Sequence, residues 1–296
     1  MKIGFIGVGV MGKSMVKNLL KNGYEVEIYA RQPEKVVDVV SEGAILISSI
    51  AALSKRNDII ITMVGFPRDV RSVYFDEDKI LNNAKAGTIV IDMTTSSPSL
   101  AREVYLEAQY HGIQSLDCPV TGGSIGAKEG TLTIFGGGDQ NAYEQVLPIL
   151  KAMGKTVVYV GGPGLGQHAK LANQIGVAGA IAAVSEMIAY SKANGLDPKA
   201  LVEVWNTGSA ASTQLKVSAP RALSGDMTPG FFIKHFIKDM NLAIDETENK
   251  GIDLKMLHTV RDMYVKLAQE GFGDLGTQAL VKYYEESEKD NGPKNN

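Results

Sequence analysis

The sequence predicts an α/β fold, an open doubly wound sheet followed by an all-helical second domain. Three observations predict it. Short β-branched runs alternate with helical stretches through the first half, a glycine turn joins the first run to the first helix, and the strand rhythm stops at Gly161, beyond which only long helical patterns follow.

Strands are expected at 2–6, 25–29, 44–47, 58–64, 88–92, 113–119, 130–136 and 156–160. Several are apolar at consecutive positions, as in Ile59-Ile60-Ile61 and Ile89-Val90-Ile91, which suits strands covered on both faces. Amphipathic stretches at 12–22, 33–41, 98–111 and 141–153 supply the crossover helices that parallel strands need. After the turn at 161–164, helices are expected at 164–192, 198–206, 215–224, 231–250, 254–270 and 276–288. The first of these carries Ala, Ile and Val on nearly all sides and reads as a long interdomain helix, stopped by Asn194-Gly195 and Pro198. The expected division is therefore 1–161 and 162–296, with 289–296 a frayed tail.

Composition excludes several classes of function. A chain of 296 residues that is 44% hydrophobic and 21% charged is an ordinary globular protein with room for two domains. A net charge of −3 gives no bulk attraction to nucleic acid or to an anionic membrane, so neither is an expected partner. Cys118 is the only cysteine, which excludes an internal disulfide and a thiolate metal cluster. His111, His168, His235 and His258 are scattered, and no metal site is expected. The amino terminus reads straight into a strand and does not resemble a signal peptide. The apolar stretch 175–184 is broken by Gly176 and Gly179 and falls short of the roughly 20 residues that span a bilayer. A cytoplasmic protein is expected.

The turn Gly7-Val8-Gly9-Val10-Met11-Gly12 fits GxGxxG in the required context, after a strand and at the start of a helix. Gly7 permits the tight turn, Gly9 lets backbone approach a pyrophosphate, and Gly12 allows close helix–sheet packing. Amides of the helix start, from Val10 and Met11 onward, then hold phosphate. The first domain is thus read as a Rossmann-type dinucleotide-binding domain. At the tip of the second strand, where NAD-specific sites place an acid on the ribose, stand Ala30-Arg31-Gln32; Glu27 lies within the strand. Arg31, helped by Lys35, can pair with a 2′-phosphate, so NADP(H) is favoured, with NAD(H) as the alternative. Solvation of both side chains is the competing explanation. The loops that open at Gly65-Phe66-Pro67 and Met93-Thr94-Thr95-Ser96-Ser97-Pro98 lie beyond strand ends, where the far ribose and nicotinamide belong, although Ser97 also reads as a helix cap.

In the second half, Lys170 and Asn173 share a helix face near the start of the long small-residue helix. A lysine there opposes the helix dipole and loses hydration, both of which lower its pKa toward that of a general base. A snorkelling surface lysine is the plain alternative. Pro119-Val120-Thr121-Gly122-Gly123-Ser124 can offer a hydroxyl and amides to a carboxylate, although a Gly-rich connection that continues as a turn through 126–130 has the same pattern. Lys238-Asp239 reads by default as an exposed pair on an amphipathic helix.

Taken together, GFIGVGVMG at 4–12, DMTTSSP at 92–98, DCPVTGGSIGAKEGTLTIFGGG at 117–138, GPGLGQHAKLANQ at 162–174 and FIKDMNLA at 236–243 resemble the β-hydroxyacid dehydrogenase family over nearly the whole chain. The resemblance implies transfer of a hydride between NADP(H) and a small β-hydroxy acid/semialdehyde pair. It implies Lys170 as catalytic lysine, Asn173 as substrate-orienting amide, and Thr121, Gly122 and Gly123 as the substrate loop, with threonine where serine is usual. On the cofactor side it implies Thr95 beside the nicotinamide, Lys238, the pair Met63 and Val64, and Pro67, and it agrees with NADP(H) at Arg31. It also implies a homodimer or homotetramer. Two departures stand out: Gln174 replaces a second asparagine, and Ala210-Ala211-Ser212-Thr213 replaces a Gly-Arg-Ser-Trp segment. A reductase of another semialdehyde or of an imine, and a dinucleotide sensor without turnover, are the rival functions.

Overall fold

Strand residues of the first half alternate between two apolar layers, and this alternation explains why the strands are hydrophobic at every position. The structure, a computed structural model, describes residues 1–248 and 250–290, the side chains of 286–290 excepted. The described chain divides into two compact units, residues 1–170 and 171 onward.

The first unit runs β1 (Ile3–Ile6), α1 (Val10–Lys21), β2 (Val26–Tyr29), a 3-10 turn (Pro33–Val36), α2 (Val37–Ser41), β3 (Ile45–Leu46), α3 (Ile50–Arg56), β4 (Ile59–Thr62), α4 (Pro67–Phe75), α5 (Ile80–Asn83), β5 (Ile89–Asp92) and α6 (Pro98–Tyr110). It continues through β6 (Gln114–Asp117), β7 (Val120–Thr121), α7 (Gly123–Glu129), β8 (Leu132–Gly138), α8 (Gln140–Met153) and β9 (Gly154–Gly161). Six strands are parallel in the order β3-β2-β1-β4-β5-β6. The sheet then extends through β8, antiparallel to β6 and β7 and parallel to β9. Ile59 and Ile61 join Phe5 and Ile28 in one core with Leu19 of α1 and Val146 of α8. Ile60 and Val90 point the other way, into a core with Leu53 of α3, Tyr74 of α4 and Val104 of α6. Because β2 lies on one side of β1 and β4 on the other, the chain leaves β1 and β4 in opposite directions, and their carboxyl ends flank the switch point where such sheets bind ligands.

Several local features depart from the sequence reading. Helices α3, α4, α5 and α7 have four to nine residues, too few for a helical period to emerge. Their caps were the readable signal: Ser49 accepts Ala52 N–H at 3.1 Å, and Pro67 opens α4. Residues 126–129, expected in a turn, form the end of α7, which Gly130 stops in the left-handed region at φ 68°. The strand expected at 113–119 ends at Asp117, and Val120–Thr121 forms a further short strand paired with Ile134 and Thr133.

The division between units falls inside α9 (Leu165–Ala193), a continuous helix of 29 residues. There follow α10 (Pro198–Trp205), a π-turn (Gln214–Ser218), α11 (Ala219–Ser224), α12 (Ile233–Glu248), α13 (Lys255–Leu267), a second π-turn (Ala268–Phe272), a 3-10 turn (Thr277–Leu280) and α14 (Val281–Asp290). Positions 233, 236, 240, 243 and 244 of α12 and 257, 260, 264 and 267 of α13 follow the three-and-four spacing of an apolar stripe and pack on Leu171, Ala178 and Ile181 of α9. Val184 and Ile188 continue that face into a smaller cluster with Val202, Leu215 and Ala219. By length and composition α9 is able to cross a membrane; a core helix satisfies the same test, and α9 contributes to both helical cores. Expected elements at 231–250 and 276–288 fall on α12 and α14, while Asn249 and residues 291–296 lie outside the described residues.

Candidate active site

Three glycines shape the turn between β1 and α1 for different reasons. Gly7 has φ 96°, and a Cβ there would collide with the Met63 carbonyl at the end of β4. A Cβ on Gly12 would collide with the Gly7 carbonyl, so the first turn of α1 lies against its own loop. At Gly9 a Cβ would meet nothing within 4 Å. Gly9 and Val10 are exposed, Met11 is half-buried, and the helix start has neither a side-chain cap nor an acid in its first turn. These features fit a dinucleotide: open space over Gly9 faces amides that have no side-chain acceptor.

At the tip of β2, Arg31 and Lys35 are both exposed. The strand's acid, Glu27, is buried lower down, where it accepts Asn57 Nδ2 at 2.8 Å and pairs with Arg56 at 2.7 Å. It is thus committed within the layer below, and residues 30–32 present no carboxylate.

Beyond β4 and β5 the two loops are tied to one another. Thr62 Oγ1 donates to Asp92 Oδ1 at 2.8 Å, and that oxygen also accepts Thr94 N–H at 3.1 Å. Thr94 Oγ1 in turn accepts Val64 N–H at 3.0 Å. Met63, Val64, Pro67 and Thr95 are half-buried along this rim. Ser97 accepts Leu100 N–H at 3.2 Å and caps α6, the role its place before Pro98 suggested.

On β6, Asp117 is buried and its two carboxylate oxygens accept Gly164 N–H at 2.9 Å and Gln167 N–H at 2.8 Å. An acid from the sheet therefore caps the start of α9. Burial pushes the Asp117 carboxyl up to about 6, against the two amides that hold it down. Lys170, three residues past Gln167, is only 5% exposed. Thr121 ends β7, and Gly122 (φ 128°) and Gly123 (φ 62°) turn the chain into α7 in a conformation that favours glycine.

In the second unit, Asn173 Nδ2 donates to Gln174 Oε1 at 3.0 Å, and Gln174 Nε2 donates to Asp239 Oδ2 at 2.7 Å. Lys238 lies 2.8 Å from the other oxygen of Asp239. This pair is not the surface pair that an amphipathic helix suggests by default, because Asp239 is 1% and Lys238 13% exposed. The sequence reading missed Asp92, Asp117, Gln167 and Asp239. Asp92 left a signal, an acid closing the apolar run Ile89-Val90-Ile91; Asp239 was visible only as half of a pair with Lys238, and Asp117 and Gln167 left none. Among the described residues no group of three or more His, Cys, Asp or Glu could hold a metal.

A glycine turn at the switch point of a parallel sheet, in a chain that continues as an all-helical unit, defines the class as a Rossmann-type dinucleotide-binding protein. Residues 2–161 match the NAD binding domain of 6-phosphogluconate dehydrogenase, and residues 164–284 match the NAD-binding family of NADP-dependent 3-hydroxyisobutyrate dehydrogenase. The chain belongs to this 6-phosphogluconate dehydrogenase-like and 3-hydroxyisobutyrate dehydrogenase-like family of oxidoreductases. It is 45% identical to YkwC, an uncharacterized oxidoreductase of Bacillus subtilis, over 95% of this chain and 98% of that protein. It is 40% identical to the probable 3-hydroxyisobutyrate dehydrogenase-like 1, mitochondrial, of Arabidopsis thaliana, over 95% of this chain and 84% of that one. A solved structure of 3-hydroxyisobutyrate dehydrogenase from Mycobacterium tuberculosis with L-serine superposes with a TM-score of 0.85 at 29% identity, covering 95% of this chain and 98% of that one. The protein is an NAD(P)-dependent oxidoreductase acting on a small hydroxy-acid/semialdehyde substrate. The cytoplasmic address expected from the amino terminus is corrected by the mitochondrial relative.

Proposed function

We propose that the protein interconverts a small β-hydroxy acid and its semialdehyde, of the 3-hydroxyisobutyrate, 3-hydroxypropionate or tartronate semialdehyde type, with NADP(H) as preferred cofactor and Lys170 as the proton-transfer residue. The observation that carries this reading is a lysine only 5% exposed, one helical turn into a helix whose start is capped by a buried acid. A buried lysine beside a substrate hydroxyl can exchange a proton with it.

Residues 1–161 serve as the dinucleotide-binding domain and 162–296 as the substrate and oligomerisation domain of a homodimer or homotetramer. The turn Gly7, Gly9, Val10, Met11 and Gly12 would hold the pyrophosphate, and Met63, Val64, Pro67, Thr95 and Lys238 the far half of the cofactor. Arg31 and Lys35, exposed at a strand tip that has no acid, favour a 2′-phosphate. When bound, the dinucleotide supplies the hydride acceptor or donor. Thr121 and the amides of Gly122 and Gly123 hold the substrate carboxylate. Asn173, its amide oriented by Gln174, holds the hydroxyl side. Lys170 removes the hydroxyl proton in oxidation and returns a proton to the forming alkoxide in reduction. L-serine, the compound present with the Mycobacterium tuberculosis enzyme, is itself a 3-hydroxy acid and fits the same carboxylate-plus-hydroxyl grammar.

The test is a steady-state screen with NADP⁺ and NAD⁺ against 3-hydroxyisobutyrate, 3-hydroxypropionate, serine, glycerate and 4-hydroxybutyrate, with the semialdehydes in reverse. Turnover of a 3-hydroxy acid, faster with NADP⁺ at equal concentration, is expected. Cofactor binding with silence across the panel would remove the substrate class and return the sensor reading.

A further inference from the structure

The first turn of α9 holds one more residue with a task in this reaction. Gln167 is fully buried, and its side-chain amide makes two bonds in opposite senses. Its Oε1 accepts Ser96 N–H at 2.8 Å, and its Nε2 donates to the Thr94 carbonyl at 2.8 Å. The amide therefore grips the backbone immediately before and after Thr95. Its own backbone N–H is held by Asp117, the acid that also holds Gly164. The seat is close: a Cβ on Gly166 would collide with the Asp117 and Phe135 carbonyls. Lys170 follows Gln167 by three residues, on the same helix face.

A buried glutamine that serves only to fill space would be replaced at no loss by an apolar side chain, whereas this one satisfies a donor and an acceptor of a single loop. We infer that Gln167, seated by Asp117, is a positioning residue that keeps the loop carrying Thr95 in fixed register with Lys170. The inference rests on Lys170 moving the proton, as proposed above. Hydride transfer and proton transfer occur on one substrate carbon and its oxygen, so a donor or acceptor displaced by about 1 Å loses on the order of 100-fold in rate. Asp117 and Gln167 touch neither reactant in this scheme and act through the residues they hold.

The experiment uses the full-length enzyme saturated with NADP⁺ and a turned-over 3-hydroxy acid, with Gln167→Met, Gln167→Glu, Lys170→Ala and the double variant Gln167→Met/Lys170→Ala. Gln167→Met is expected to lower kcat by about 30- to 100-fold, to leave the dissociation constant of NADP⁺ within about threefold, and to raise the primary deuterium isotope effect on hydride transfer. Gln167→Glu keeps the volume and the acceptor for Ser96, and in its protonated form regains the donor to Thr94. Its kcat relative to wild type is therefore expected to recover as pH falls, a dependence that lost packing would not produce. In the Lys170→Ala background the Gln167 substitution is expected to cost less than threefold more, because a residue that acts through the lysine has nothing left to position. Wild-type kcat in Gln167→Met, or an equal fold-loss with and without Lys170, overturns the positioning role while leaving Lys170 standing. An active Lys170→Ala overturns the reading beneath it. If Gln167→Met does not fold, the pH-dependent recovery in Gln167→Glu decides alone, and its absence counts against the proposal.

Discussion

Arg31 stands at the tip of β2 with no carboxylate beside it, and its charge is the residue-scale argument for NADP(H). A charged hydrogen bond to phosphate contributes about 1.5–3 kcal/mol, which corresponds to roughly 10- to 100-fold in affinity. Arg31→Ala is accordingly expected to weaken NADP⁺ by that factor and to leave NAD⁺ unchanged; titration calorimetry with both cofactors checks it, and equal losses would assign Arg31 a general role. Asp117 makes a second prediction. Its carboxyl is pushed up to about 6, so between about pH 4 and pH 6 the folded chain binds more protons at this site than the unfolded chain. Its contribution to stability is therefore full at the lower end of that window and is lost as pH rises through the upper end. Urea unfolding of wild type and Asp117→Asn at several pH values should show the wild type losing ground over that range and holding a constant difference above it. A difference independent of pH would mean that Asp117 is not held in this buried, amide-capped state. What was legible at this scale followed from chemistry confined to one segment. Gly7, Gly9 and Gly12 carry their roles in their spacing, whereas Gln167 acts through a partner 71 residues away and leaves no local trace.

At the scale of elements, the β1–α1 turn separates two requirements that a glycine motif combines. Gly12 is fixed by folding, since a Cβ there meets the Gly7 carbonyl, while Gly9 faces open space. Gly12→Ala is expected to destabilise the chain by about 1–3 kcal/mol through strain, and Gly9→Ala to leave the melting temperature unchanged while weakening dinucleotide binding. Thermal unfolding without ligand, followed by binding of NADP⁺, separates the two; loss of stability in Gly9→Ala would contradict the assignment. β4 was legible as an unbroken apolar run, and α12 and α13 because their apolar stripes repeat over 16 and 13 residues. The short helices α3, α4, α5 and α7 were not, since four to nine residues sample too little of a period. At α7 the two positive-φ glycines that open it also read as a turn, and only pairing of Val120–Thr121 with β8 fixes where the helix can start.

For the whole molecule, an open α/β sheet with crossover helices and the all-helical unit beyond it followed from the alternation of strands and helices and from where the strands stop. The antiparallel insertion of β8 between β6 and β7 did not, because nothing in a single strand states its partner's direction. The cytoplasmic address was expected from an amino terminus unlike a signal peptide and from the short apolar stretch 175–184, and relatives named as mitochondrial overturn it. Binding of the cofactor to the folded state alone should raise global stability. At 100 times its dissociation constant NADP⁺ is expected to add about 2.7 kcal/mol to the unfolding free energy, measured by denaturant unfolding with and without ligand. Absence of that increment with ligand bound would indicate binding to the unfolded chain.

The central claim is that Lys170 moves the proton. It is tested most directly by single-turnover hydride transfer in wild type and Lys170→Ala, each preloaded with NADP⁺ and mixed with a 3-hydroxy acid. Loss of positioned acid–base chemistry predicts a slowing of about 10²- to 10⁴-fold with NADP⁺ affinity retained. Hydride transfer at the wild-type rate in Lys170→Ala would contradict the account and place the proton-transfer group elsewhere in the site.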